Sequence, residues 1–343
     1  MHQRKKLLYI GNKLAVHGKP PTAIDSLSVN LEQEGYSVIT ASSKQSKVSR
    51  LLDMVFTTIR NRPHIDLVLI DTYSTQNFYY AVIIATLCRL FKMPYIPILH
   101  GGNLPSRLKK NKSLSDKLFG KAHINVAPSK YMLQQFKDAG FHNITYIPNT
   151  IEISNYPFQT RNSVTPKLLW VRSFSEIYNP QLALKIVEIL KKKGMDVSLC
   201  MVGPDKDGSL NRCKKITTEL NLPVTFPGLL QKKEWIELSK NYDIFINTTN
   251  FDNMPISVME AMALGMPVIS TNVGGMPFLI DNEENGVLVP ANNAEAFVDA
   301  IIELCNQPVK VQNLTQNARM KMEGFDWGEV KHRWVDVLEG VEI

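Results

Sequence analysis

Four cysteines in 343 residues is a thin supply, and Cys88, Cys200, Cys213 and Cys305 form no C-x-x-C pair. Cys88, Cys200 and Cys305 sit inside apolar runs. This excludes a disulfide framework and a zinc site, and it fits a reducing compartment. No stretch approaches the roughly 20 apolar residues that a membrane span needs. The start, MHQRKKLLYIGNK, sets cations before an apolar run, but LLYI is too short for the core of a signal peptide. It reads as a first buried strand. No G-x-G-x-x-G follows that strand, which argues against a dinucleotide-dependent oxidoreductase. There is no solenoid repeat, no low-complexity tract and no nucleic-acid-binding module. The expectation is a cytoplasmic protein that meets a membrane, if at all, from its surface at the inner face of the cell membrane.

What is present is an ordinary globular balance, 44% hydrophobic and 21% charged residues. The length suits two cores rather than one. A net charge of +7 suits polyanions, anionic lipid or phosphorylated ligands, and equally a solvated basic surface.

Short apolar runs alternate with helical patterns along the whole chain. LLYIG, YSVITAS, LVLID, YIPILHGG, INVAPS and NITYIPN read as strands, with helices over about 22–34, 46–60 and 78–91. A polar, proline-bearing stretch, Ser154 to Pro166, interrupts the rhythm and is expected to be a linker. Alternation then resumes with LLWVRSF, VSLCMVG, VTFPG, DIFINTT, PVISTNVGG and GVLVP as strands. Fully apolar strands separated by helices predict parallel sheets covered on both faces. The expected fold is α/β: two Rossmann-like, doubly wound domains, 1–155 and 156–325, facing a cleft. A C-terminal helix near 326–343 is expected to pack back on the first domain.

The segment Phe251 to Gly275, FDNMPISVMEAMALGMPVISTNVGG, carries the chemistry. It reads strand end, acidic turn, helix, glycine turn, strand. Pro255 falls near the first helical position, where its missing N–H costs nothing. The helix start, where Met254 and Pro255 lead into Ile256 and Ser257, exposes the backbone amides of about Ile256 to Met259 and a positive dipole end, which suits a diphosphate. Glu260 lies roughly 6 Å up the axis on nearly the same face, placed to accept from a ribose diol. Asp252, ahead of the helix, can face a sugar. A bland reading of Asp252 is a helix cap.

This segment resembles the nucleotide-sugar motif of the retaining GT-B glycosyltransferases of family 4, glycosyl transferases group 1. That pattern has two acids separated by seven residues, then E-A-M-A and G-x-P-V-I. Asp252 and Glu260 keep the spacing, with Asp in the place usually held by Glu. The resemblance extends over nearly the whole chain. LLWVRSF resembles the strand whose Arg contacts donor phosphates, giving Arg172. The Lys usual about five residues later is replaced by Ile177, followed by Tyr178 as a hydrogen-bond donor without charge. VSLCMVG resembles the next strand and supplies Gly203. FPGL resembles the loop around the nucleotide base and supplies Gly228 and Leu229. ILHGG resembles the acceptor-side His-Gly and supplies His100. AVHGKP, with His17 and Gly18, stands where the family has its N-terminal glycine-rich loop.

The resemblance implies transfer of a sugar, with retention, from a UDP- or GDP-sugar to a glycan or lipid-linked saccharide in polysaccharide or glycoconjugate biosynthesis. Asp252, Arg172 and His100 would form the catalytic set. Domain closure would bring His100 to the other two. No cofactor, no metal and no nucleic acid partner is implied. An interior ion pair is the bland reading of Arg172. A nucleotide-sugar isomerase or epimerase and a non-catalytic binding subunit remain as alternatives. The triplet Asp205-Lys206-Asp207 could in principle hold a cation, but its glycine-bounded context reads as a solvated turn. Peripheral membrane contact is expected, if anywhere, at Leu108, Lys109, Lys110, Lys112, Leu114, Lys117, Leu118, Phe119 and Lys121.

Overall fold

The computed structural model describes residues 4–18 and 22–341. They divide into two compact units, 1–149 with 330–343, and 150–329.

The first unit is built on a six-stranded sheet in the order β2-β1-β3-β4-β5-β6. Its strands are β1 (Lys6–Ile10), β2 (Ser37–Ala41), β3 (Leu67–Thr72), β4 (Tyr95–Leu99), β5 (Asn125–Ala127) and β6 (Ile144–Tyr146). All pair in parallel. The crossovers carry α1 (Ala23–Gln33), α2 (Lys47–Asn61), α3 (Asn77–Leu90), α4 (Leu104–Lys110), α5 (Lys112–Phe119) and α6 (Lys130–Asp138). β3 is buried at every residue, as a parallel strand covered on both faces must be. Thr22 and Asp25 form a capping box that starts α1, and the Asp25 carboxylate accepts the Thr22 amide at 2.8 Å. The core gathers Leu8, Ile10, Val68, Ile70, Phe78 and Phe119 among others. Leu108, Leu118 and Phe119, expected at a membrane-facing surface, are instead part of this core.

The second unit repeats the plan with order β12-β11-β10-β7-β8-β9. Its strands are β7 (Lys167–Val171), β8 (Ser198–Val202), β9 (Val224–Gly228), β10 (Ile244–Asn247), β11 (Val268–Thr271) and β12 (Val287–Val289). Its helices are α7 (Pro180–Lys192), α8 (Ser209–Glu219), α9 (Lys232–Ser239), α10 (Ile256–Ala263), α11 (Met276–Leu279), α12 (Ala294–Asn306) and α13 (Pro308–Glu323). The last helix, α14 (Trp327–Glu339), starts in the second unit and ends in the first. There Glu339 accepts from Tyr36 OH at 2.8 Å, and Lys331 pairs with Glu34 at 3.1 Å.

The stretch 154–166 is irregular but not loose. Tyr156 and Arg161 are buried, and the stretch lies inside the second unit. Arg161 donates to the carbonyls of Leu264 and Gly265, and Arg319 to that of Ala263. Two cations thus close the negative end of α10. The opposite, positive end of α10 follows the loop that holds Asp252.

Candidate active site

In both sheets the strand order reverses beside the first strand of the unit, between β1 and β3 and between β7 and β10. Ligands of doubly wound sheets bind beyond the carboxyl ends of the strands at such points. The acidic and basic residues singled out in the sequence fall there. Arg172 directly follows β7, and Asp252 lies in the loop after β10.

Arg172 and Asp252 form an ion pair, Nη2 donating to Oδ2. The guanidinium lies over the Tyr178 ring, 4.2 Å from its centroid. Its Nε is buried without a hydrogen-bond partner. Burial lowers the Arg172 pKa, and Tyr178 acts in the opposite sense. The interior ion pair expected as the bland reading of Arg172 is present. A cation is held on an aromatic face with donor capacity unspent.

Glycines let the surrounding loops close on this pair. A Cβ at Gly203, whose φ is +147°, would overlap the Arg172 carbonyl oxygen. A Cβ at Gly274 or Gly275 would overlap the carbonyl of Asp252 or Asn253. Gly275 N also donates to Asp252 O at 2.9 Å. Gly203 N donates to Gly228 O at 2.8 Å, so two glycines picked from separate strands meet. Leu229 beside them is exposed.

At the start of α10 the amides of Val258 and Met259 both turn to Pro255 O, at 3.2 and 3.3 Å. The amides expected to be open through Met259 therefore reduce to Ile256 and Ser257. The Ser257 Oγ is buried without a partner. Met254 is buried beneath this turn.

Glu260 is 5% exposed. Its Oε1 accepts from Tyr156 OH at 2.5 Å and pairs with Lys232 Nζ at 3.1 Å, while Oε2 takes part in neither contact. Burial pushes the carboxyl up from its ordinary value, and Lys232 opposes that shift. The same burial, with the Glu260 charge, raises Tyr156. Sequence reasoning missed both partners. Tyr156 lay in a supposed linker, and Lys232 was one of two adjacent lysines at a helix start.

In the first unit, His100 Nε2 is 2.9 Å from Asp71 Oδ1. Tyr9 OH donates to the same oxygen at 2.8 Å. Asp71 Oδ2 is buried without a partner. A Cβ at Gly11 would approach that oxygen to 2.5 Å, so glycine is required where β1 ends. Tyr73 packs against the His100 ring, with centroids 5.5 Å apart. Asp71 and Tyr9 are further members that the sequence reading did not name, although LVLID ends its strand on the acid. Gly18 sits at φ +71° and ends the turn Ala15–His17. His17 Nε2 lies 2.8 Å from Ser43 O.

Asp205 and Asp207 are turn acceptors. Asp205 Oδ1 takes the Gly208 amide at 3.0 Å, and Asp207 takes the Ser209 hydroxyl and the Glu176 amide. These bonds, Ser209 foremost, lower the Asp207 pKa to about 2. Among the described residues no three His, Cys, Asp or Glu side chains are grouped to hold a metal ion.

Residues 154–321, most of the second unit, match the family model described as Glycosyl transferases group 1. The chain is 24% identical over 215 residues to an Escherichia coli UDP-Gal:alpha-D-GlcNAc-diphosphoundecaprenol alpha-1,3-galactosyltransferase, covering 57% of this chain and 54% of the relative. It is 23% identical over 272 residues to the amylovoran biosynthesis glycosyltransferase AmsK of Erwinia amylovora, covering 72% and 64%. The matches thus span between about half and two thirds of those relatives' lengths. Among solved structures, Anabaena HepE in complex with UDP-glucose superposes with a TM-score of 0.77 at 18% identity, covering 98% of this chain and all of that one. Sucrose-phosphate synthase from Thermosynechococcus elongatus gives 0.82 at 16% identity, covering 98% and 99%. These likenesses show the fold, the GT-B architecture of two parallel six-stranded sheets with flanking helices.

Proposed function

We propose that this chain is a retaining glycosyltransferase, of the family 4 type, that moves a sugar from a UDP- or GDP-sugar to a glycan or lipid-linked saccharide. The observation that carries the reading is the Arg172–Asp252 pair at the β7/β10 switch point, beside the open amides of α10. The match of this unit to group 1 glycosyl transferases supports it, as does the UDP-glucose in the HepE structure. The diphosphoundecaprenol-linked substrate named for the E. coli relative supports a lipid-linked acceptor, and the amylovoran biosynthesis named for AmsK supports a role in polysaccharide assembly.

In this reading the donor diphosphate takes over Arg172 from Asp252. The unpartnered Nε and the amides of Ile256 and Ser257 add donors. Asp252, released, accepts from the sugar hydroxyls. Glu260 Oε2 accepts from the ribose, with the carboxylate steadied by Tyr156 and Lys232. Gly203, Gly228 and Leu229 border the base. In the reaction the bond from the anomeric carbon to the phosphate oxygen breaks and the bond to the acceptor oxygen forms. The acceptor proton passes to the leaving phosphate. Negative charge grows on that phosphate, and fixed donors stabilise it most where it grows most. These donors do the work asked of a metal, so no cofactor is assigned. Within the first unit, His100 is oriented by Asp71.

The test is turnover of UDP- and GDP-sugars against glycan and lipid-diphosphate saccharide acceptors in the presence of EDTA, with the product linkage read by NMR. Transfer with the donor's anomeric configuration kept supports the proposal. Donor consumption without acceptor would point to an isomerase. Binding without any consumption would point to a non-catalytic subunit, for which Ile177 in place of a cation is the motive.

A further inference from the structure

Helix α2 is turned inside out. It buries Arg50, Met54 and Thr58 and presents Val48, Leu52, Phe56 and Ile59 to solvent. Val48 is 69% exposed, and Leu52 and Phe56 are each 62% exposed. The four lie at i, i+4, i+8 and i+11, one continuous stripe along the helix. Arg50 is buried because its guanidinium is spent on Lys44 O, Gln45 O and Asn12 Oδ1.

The stripe does not stand alone. Helix α3 packs beside α2 and exposes Tyr79, Ile83 and Leu90. Helix α5 also packs on α3. Lys44, Lys47, Arg60 and Arg62 lie at the ends of α2 and are exposed. Lys109, Lys110, Lys112, Lys117 and Lys121 are exposed on and around α4 and α5, whose leucines turn inward. Acid is sparse, with one exposed carboxylate, Asp116, on α5. α3 carries none, and the one acid of α2, Asp53, accepts the Ser42 hydroxyl at 2.5 Å.

We propose that the α2–α3 face is a membrane-docking surface, with the apolar stripe entering the headgroup boundary of an anionic bilayer and the flanking cations meeting lipid phosphates. Two adjacent helices on one sheet offer a broad ridge, which suits an extended lipid surface better than a groove suits a peptide helix. A large exposed apolar patch rimmed by charge marks an interaction site. The charge selects the partner. An isologous dimer through this face would set the same cations against each other. Anionic lipid instead gains from each nearby Lys or Arg. The inference does not depend on the sugar-transfer reading, since its test contains no nucleotide.

The experiment is co-sedimentation of the full chain with vesicles of phosphatidylcholine alone or mixed with phosphatidylglycerol, together with sedimentation velocity without lipid. The wild type should pellet with the anionic vesicles and remain free with phosphatidylcholine. Rising salt should reduce binding. The double variant Leu52→Ser/Phe56→Ser, altered only at exposed positions, should keep the wild-type melting temperature and lose about tenfold or more in vesicle partition. Lys109→Glu/Lys110→Glu/Lys112→Glu should lose binding without touching the stripe. Equal pelleting of the Leu52/Phe56 variant, or no pelleting of the wild type with anionic vesicles, would overturn the proposal. So would a dimer that dissociates in that variant while the wild type ignores vesicles, which would make the face a self-association surface.

Discussion

Arg172 gives one N–H to the Asp252 carboxylate and keeps a buried Nε with no partner. A cation so placed is both neutralised and under-used. In the proposed reaction an incoming diphosphate would compete with Asp252 for it and satisfy the remaining donor. The two residues should therefore separate in kinetics. Arg172→Ala should weaken UDP or GDP binding about 10- to 100-fold, the weight of a charge-assisted hydrogen bond. Asp252→Asn should leave nucleoside diphosphate affinity equal or tighter, because the competitor is gone, while kcat falls by about a hundredfold or more. Isothermal titration and steady-state rates on both variants check this.

Glu260 supplies a pH signature. Its folded pKa is raised by burial, so between its ordinary value near 4.5 and the folded value the native chain binds the proton more tightly than the unfolded one. That contribution to stability is present below the ordinary value and is lost as pH rises through the folded value. Glu260→Gln does not titrate. Its melting temperature relative to wild type should therefore rise as pH is taken from 4 toward 7. Nucleotide affinity should fall about tenfold in the same variant, since the ribose loses a charged acceptor.

The alternation of strands and helices was legible because parallel strands buried on both faces leave unbroken apolar runs, β3 being the plainest. The Asp252–Glu260 segment was legible because one loop and one helix contain it. What the sequence hid was assembled from afar. Tyr156 reaches Glu260 across 104 positions and Tyr9 reaches Asp71 across 62. An amphipathic pattern also shows two faces without showing which turns inward. Leu108, Leu118 and Phe119 therefore read as surface and proved to be core, whereas Leu52 and Phe56 are the exposed ones.

Glycine positions separate close approach from simple turn geometry. Gly203→Ala drives a Cβ into the Arg172 carbonyl at a φ of +147° and should destabilise the second unit by about 3 kcal/mol or more. Gly18→Ala, at φ +71° with open space around it, should cost only about 1 kcal/mol. Chemical denaturation midpoints compare them. Loss of nucleotide binding should accompany the first change, because Arg172 is displaced with its backbone.

Asp207 is held near pKa 2 by the Ser209 hydroxyl and the Glu176 amide. A depressed carboxylate stabilises the fold above its unfolded value of about 3.8, and that contribution is lost as pH falls toward 2. Asp207→Asn should lower the melting temperature at pH 7, with the gap to wild type closing between pH 4 and pH 2. If this acid is a turn acceptor and not a cation ligand, EDTA should leave sugar transfer unchanged in the wild type.

The most direct measurement is calorimetric titration of a UDP- and a GDP-sugar into wild type and Arg172→Ala, both in EDTA. The account predicts that one donor binds the wild type without metal and binds Arg172→Ala at least about tenfold more weakly. Equal affinity in the two proteins, or no binding of either donor to the wild type, would contradict it.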